Sequence, residues 1–188
     1  MKIILKKRKT MKYKISKIIV KLTFLFLLCG SLSAQSESET RSFIRRAPVG
    51  KETLFEISNK YGTIHITPWN KDSVYIKAEV KAFASSQSKL RKMIDGITVN
   101  ISETPYLGRA QTDFLQNINM LFESFKGITS KIISYDSRVE INYFINIPEY
   151  LDLKIENKYG DVYMENNTGD FSISVSNGSF KANSLDKG

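Results

Sequence analysis

The sequence predicts a mainly all-β fold of the β-solenoid or β-helix-like repeat kind, with a short helical insertion around residues 86–126; a β-sandwich is the alternative. Three observations carry this. From Thr53 onward apolar residues recur mostly at every second position, the period of a half-buried strand. Glycines at 160, 169 and 178 stand nine residues apart, each followed by Asp or Ser and then an apolar residue. Finally, Ile57-Ser58-Asn59-Lys60-Tyr61-Gly62-Thr63-Ile64 nearly repeats as Ile155-Glu156-Asn157-Lys158-Tyr159-Gly160-Asp161-Val162.

The chain begins differently. Residues 1–34 hold nine basic side chains and no acid, then the apolar run Leu22–Cys29, then small residues up to Ala34. That order is the pattern of a cleaved secretory signal peptide, and the run is short of the ~20 residues a spanning helix needs. Met11 is a second candidate start. Cys29 raises a lipid anchor as an alternative, but Phe26-Leu27-Leu28 lacks the small residue expected before an acylated cysteine; an uncleaved N-terminal membrane anchor is the other alternative. The formal charge of +9 comes from this segment: removing nine of the 28 Lys and Arg leaves 19 against 19 Asp and Glu. A neutral mature chain gives no electrostatic case for nucleic acid. The only cysteine leaves with the signal, so the domain is held by its core and not by disulfides.

Residues 35–49 are polar and aperiodic and read as a flexible leader, and residues 50–188 as the repeat domain. Phe55 and Ile57, then Ile64 and Ile66, then Val74, Ile76, Ala78 and Val80 mark strands, with a turn at Pro68-Trp69-Asn70-Lys71-Asp72. Ser85 or Ser86 caps a short helix carrying Leu90, Met93, Ile94 and Ile97, with Gly96 near its end. Alternation resumes at Ile97, Val99 and Ile101. Residues 103–112 read as a loop, and Phe114, Ile118, Leu121 and Phe125 as a second, amphipathic helix packed on the domain. Strands return at Val139–Ile147, Leu151–Ile155, Val162–Met164, Phe171–Val175 and Phe180–Ala182.

The duplicated unit has a physical reading. Asn hydrogen-bonds nearby backbone and tolerates left-handed dihedrals, and Gly takes a positive φ at no steric cost. Asn59, Lys60, Tyr61, Gly62 and their counterparts Asn157, Lys158, Tyr159, Gly160 therefore form a structural turn between two inward aliphatics, abbreviated at Gly169-Asp170 and at Asn177-Gly178. Two strands per coil give a coil of ~18–20 residues, which buries its apolar face only by stacking on neighbours. The functional alternative is a binding ridge of exposed Lys and Tyr side chains. No polar cap closes the C-terminal end, so the chain is expected to be C-terminally incomplete.

The signal peptide, Asn-Lys-Tyr-Gly-Thr-Ile-His-Ile-Thr-Pro-Trp at 59–69, Ile145-Asn146-Ile147-Pro148 and the second Asn-Lys-Tyr-Gly at 157–160 resemble the putative-adhesin family, the exported β-strand-repeat domains of Gram-negative bacteria. The resemblance covers roughly residues 50–188. It implies a solenoid-like, adhesin-like envelope protein, a domain of unknown function with no assigned reaction or cofactor.

Reactive constellations are few. His65, the single histidine, lies between Ile64 and Ile66 and faces outward if those face the core. One histidine without cysteine builds no His-rich metal site, and there is no Gly-x-Ser-x-Gly elbow, phosphate loop or dinucleotide fingerprint. Asp161 and Asp170 at corners read as turn formers, with a Ca²⁺ site as the lesser alternative. Trp69 reads as a pin for its turn rather than a sugar platform. The expectation is a non-enzymatic, exported binding module of the periplasm, outer-membrane surface or extracellular space, with no catalytic residue, cofactor or metal. Its partner would be an unidentified protein or glycan, with no nucleic acid, and with the membrane only through the signal segment. The alternatives are an envelope scaffold that assembles through its solenoid edge and, less favoured, an exported polysaccharide-acting enzyme.

Overall fold

The computed structural model describes residues 36–115 and 137–185 of the 188-residue chain. The chain divides into two units, Met1–Gln35 and Ser36–Gly188, and every described element belongs to the second. The expected signal peptide lies outside the described residues.

The elements in chain order are β1 (Glu37–Pro48), β2 (Leu54–Tyr61), β3 (Ile64–Trp69), β4 (Ser73–Ala84), α1 (Gln87–Asp95), β5 (Ile97–Glu103), β6 (Leu107–Phe114), β7 (Ser137–Pro148), β8 (Asp152–Tyr159), β9 (Val162–Asn167), β10 (Phe171–Asn177) and β11 (Phe180–Leu185). The fold is mainly β, in two mixed sheets: one of six strands ordered β1-β4-β7-β3-β9-β11, the other of five ordered β10-β8-β2-β6-β5.

One half is parallel and repetitive. The strand pairs β2–β3, β8–β9 and β10–β11 each cross from the five-stranded to the six-stranded sheet, stacking in parallel on the next pair. Leu153 sits beside Phe171 and Val162 beside Phe180, a step of 18 residues in both sheets. Phe55 sits beside Leu153 and Ile64 beside Val162, a step of 98 residues in both. The duplicated sequences therefore lie directly on each other. The other half is mostly antiparallel, where β1 pairs with β4, β4 with β7 and β5 with β6.

The core follows the period-two pattern. Phe55, Ile57, Ile64, Ile66, Val74, Ile76, Ile141, Tyr143, Ile145, Leu153, Ile155 and Val162 are buried in one cluster spanning the inner faces of both sheets. Helix α1 packs on β4, β1 and β5 through Leu90, Met93 and Ile94. Ser86 caps it by accepting from the Lys89 amide, and Gly96 ends it.

Three expectations change. Residues 37–48, read as a flexible leader, form β1 along the whole length of β4. Their polarity misleads because inward positions of this edge strand reach α1 and β5 as well as the core. Arg41 donates to the Ile94 carbonyl at 3.5 Å and to Asp95 at 3.0 Å, and Arg45 donates to Glu103 at 2.7 Å. Second, most of residues 103–112, read as a loop, belong to β6. Its inward residues are Gly108, Ala110 and Thr112, which are small or polar because they lie against bulky neighbours. A Cβ on Gly108 would overlap the Phe55 ring, and the Thr112 hydroxyl bonds the Tyr143 hydroxyl at 2.7 Å. Third, the helical insertion is confined to Gln87–Asp95 among the described residues. Phe114, placed at the start of a second helix, ends β6, and residues 116–136 lie outside the description.

The stacking distance makes a test. Gly160 has φ +135°, and a Cβ there would overlap the Gly62 carbonyl of the coil beside it. The Gly160→Ala substitution combines left-handed strain with a backbone collision and should cost more than about 2 kcal/mol. Thermal unfolding should fall by several degrees. Gly50, where an added Cβ would meet nothing within 4 Å, supplies the control. Equal melting temperatures for Gly160→Ala and Gly50→Ala would refute the packing argument.

Candidate functional site

The repeated turn is the first candidate, and its residues divide between interior and surface. Asn59 and Asn157 are buried at the ends of β2 and β8. Asn157 Nδ2 donates to the Gly62 carbonyl of the neighbouring coil and the Gly160 carbonyl of its own, both at 2.9 Å. Asn59 Nδ2 donates to the Ile141 carbonyl of β7 at 2.9 Å, and the exposed Asn177 donates to the Lys158 carbonyl at 3.3 Å. Asn157 and Asn177 thus tie one strand pair to the next, and Asn59 ties β2 to β7, a task beyond local turn formation. The Gly62 amide donates to the Tyr159 carbonyl at 2.8 Å, and the Gly160 amide to the Asn177 carbonyl at 2.9 Å.

The nine-residue glycine step alternates between two corners. Gly62, Gly160 and Gly178 stack at one; Gly169 and Asp170 sit at the other, where the Asp170 amide donates to Asp152 Oδ1 at 2.8 Å. Among the described glycines, only Gly62 and Gly160 have positive φ. At Gly178 and Gly169 a side chain is excluded by neighbouring carbonyls, those of Gly160 and Leu151.

The ridge of exposed Lys and Tyr does not form as such. Lys60 and Lys158 point outward from the five-stranded sheet, whereas Tyr61 is buried and stacks on the half-buried Tyr159 at 5.4 Å. Burial pushes the Tyr61 phenol far up, with Tyr159 adding to the effect.

The outer face of the six-stranded sheet carries a row that the sequence reading missed. Register aligns Lys77, Phe144, His65, Tyr163 and Lys181 across β4, β7, β3, β9 and β11. His65 stacks on Phe144 at 5.4 Å and on Tyr163 at 4.8 Å, with planes 9° apart in both pairs, and Lys181 Nζ lies 5.3 Å from the Tyr163 ring. Phe144 is 39% exposed. The signal for it in sequence is an aromatic at the polar phase of a strand, at positions 144 and 163. Only the register shows that these positions adjoin.

Trp69 lies at the end of this face, beside a cleft of about 520 Å³ between residues 68–72 and 148–150. Its indole N–H donates to the Ser73 carbonyl at 2.6 Å, fixing the ring across the β3–β4 turn. Arg46 and Lys71 stand 5.0 and 4.8 Å from its centroid. Across the cleft, the Tyr150 hydroxyl donates to Asp72 Oδ1 at 2.7 Å; burial and Asp72 push this phenol up to about 12. The opposite sheet face is polar. Arg109 binds Glu56 through Nε at 2.9 Å and Nη2 at 2.6 Å, and Lys154 lies 3.5 Å from Glu56, holding its carboxyl below the usual range.

Among the described residues, no group of three or more His, Cys, Asp or Glu is placed to hold a metal ion, and no helix is long and apolar enough to cross a membrane. Asp161 is engaged by protein donors: Oδ1 accepts from the Ser179 amide at 2.8 Å and its hydroxyl at 2.9 Å, and Oδ2 from the Tyr163 hydroxyl at 2.9 Å.

No family model matches the chain, and no curated protein matches it. Among solved structures it is similar to the crystal structure of a putative cell adhesion protein from Clostridium sporogenes, with a TM-score of 0.35 and 12% identity over 74% of this chain. The chain spans 59% of that structure's length.

Asp161 sets a pH dependence. The Ser179 and Tyr163 donors hold its carboxyl below the usual range. A folded value below the unfolded value of about 3.9 contributes stability above that pH and loses it as pH falls through the folded value. Asp161→Asn should therefore flatten the loss of thermal stability on acidification below about pH 4. An acid limb unchanged from wild type would show that the carboxylate does not couple the coils.

Proposed function

We propose that this chain is an exported, non-enzymatic binding module of the cell envelope, adhesin-like, whose parallel half is a short β-solenoid closed at one end by β1, β5 and α1. The row Lys77–Phe144–His65–Tyr163–Lys181 is the observation that carries the reading. It crosses five adjoining strands, about 19 Å at the usual strand spacing, so it offers an extended contact rather than a pocket for one small substrate. Its side chains stand on paired strands, which fixes them before a ligand arrives and lowers the ordering cost of binding. Aromatic side chains such as Phe144 and Tyr163 are enriched at protein recognition surfaces. The resemblance to exported adhesin-like repeats supports the same assignment, and the signal segment at residues 1–34 supports export to the periplasm, outer-membrane surface or extracellular space.

A second reading, an envelope scaffold assembling by strand addition, is favoured by one observation. Among the described residues, β10 and β11 are the outermost strands at one end of the two sheets. The side chains of β10 include no proline and no charge to discourage pairing. Self-association that rises with concentration in the absence of ligand is its signature.

Purified mature chain is expected to bind at least one member of a panel of glycans and matrix proteins. The double substitution of Phe144 and Tyr163 by Ser should weaken that binding tenfold or more, with thermal stability lowered by no more than about 2 kcal/mol, as for partly exposed strand positions. A folded chain that binds nothing on the panel would refute the binding reading, and turnover of a polysaccharide would refute the non-enzymatic one.

A further inference from the structure

The cleft beside Trp69 has a composition that its turn-pinning role leaves unused. Securing the β3–β4 turn needs one indole N–H, already given to Ser73. It does not require the ring to border an open cleft, nor two turns from different parts of the chain to meet there. Residues 70–72 and 149–150 are brought together by the pairing of Trp69 with Pro148 and by the Tyr150–Asp72 hydrogen bond. The volume, about 520 Å³, is in the range of small-ligand sites.

Three features narrow the occupant. The indole is half-buried and cannot swing freely, because its N–H is held at 2.6 Å, so a flat apolar surface borders the cleft. Around it stand Lys71, Asn70, Asp72, Glu149 and Tyr150, bringing an ammonium, an amide, two carboxylates and a phenol. Finally, Arg46 and Lys71 at the ring are balanced by Asp72 and Glu149, two charges of each sign, so the site selects neither an anion nor a cation. A molecule with one apolar face, a rim of hydroxyls and no net charge matches all three.

We propose that this cleft is a subsite for a neutral saccharide, one pyranose stacking on Trp69 with its hydroxyls held by Asn70, Asp72 and Glu149. The inference rests on the binding-module reading and names a ligand class for it. Lys71 is exposed, so its ammonium leaves the ring face at small cost and donates to a sugar oxygen instead. Asp72 has one oxygen occupied by Tyr150, which leaves the other to accept from the ligand.

Trp69 is the only tryptophan in the chain, so its fluorescence reports on this cleft alone. Purified mature chain is titrated with cellotetraose, maltotetraose, mannotetraose, tetra-N-acetylchitotetraose and the acidic tetragalacturonate while Trp69 emission is followed. At least one neutral oligosaccharide should shift the emission saturably, with an affinity indifferent to ionic strength. Glu149→Gln and Asn70→Ala should each weaken it about tenfold, the first by turning a charge-assisted hydrogen bond into a weaker neutral one and the second by removing a bond made only to ligand. Both changes lie at exposed positions, so folding is preserved, and circular dichroism with thermal melting checks this. No saturable shift with any neutral sugar, a preference for tetragalacturonate, or affinity unchanged in both variants would each overturn the saccharide subsite. Panel binding lost on substituting Phe144 and Tyr163 but indifferent to Glu149→Gln would overturn this inference and leave the binding module standing. No binding by either face would sink both.

Discussion

The closeness with which one corner of the chain rests on the next governs the parallel half of this protein. At Gly62, Gly160 and Gly178 the backbone of one coil lies against a carbonyl of its neighbour, leaving no room for a Cβ. That approach allows the Gly62 and Gly160 amides to donate across the corner. It also brings the buried Asn157 amide within reach of two carbonyls on different coils. The ladder therefore continues through the bend instead of breaking there, and the Gly62 and Gly160 carbonyls find a donor in Asn157 Nδ2. Strand register, the stacking of Tyr61 on Tyr159 and the outward row through His65 are all set by this contact.

The antiparallel end solves another problem. Two sheets that share a core would expose it where they diverge, and α1 covers that opening with Leu90, Met93 and Ile94. Arginines on β1 bind the end of the helix and β5, so an edge strand is fastened by ion pairs as well as by its core contacts. Such partly exposed pairs contribute little singly. Their importance here is geometric, since they fix which way the edge strand faces.

Much of the fold was legible in the sequence, for physical reasons. Strands with large inward aliphatics, such as Val139–Ile147 and Val74–Val80, announce themselves by alternation, and α1 by its cap and its spacing of Leu90, Met93 and Ile94. Strand β6 was not legible, because its inward Gly108, Ala110 and Thr112 answer to the bulk of Phe55 and Tyr143, residues distant in sequence. Nor was β1, whose Arg41 and Arg45 look like a solvated leader until α1 and β5 are placed beside them. At the corners the sequence indicated Asn and Gly but pointed to local turn chemistry, whereas Asn157 and Asn59 reach neighbouring carbonyls distant in sequence. The outer row was hidden for a related reason. Phe144, His65 and Tyr163 belong to three strands, and nothing local to any of them says that the others lie alongside.

The coils are alike in register but not in their separation along the chain. The β8–β9 pair meets the β10–β11 pair after 18 residues, whereas the β2–β3 pair meets the β8–β9 pair only after 98, with β4 to β7 between. For a flexible chain, joining the more distant pair costs about 1.5 kcal/mol more in loop-closure entropy, from the logarithm of the ratio of the two lengths. Two interfaces of the same strand geometry thus face unequal entropic demands. The longer connection is offset by the β4–β7 pairing and by the helix that closes the far end, so the segment that separates the repeats also supplies the means of reuniting them.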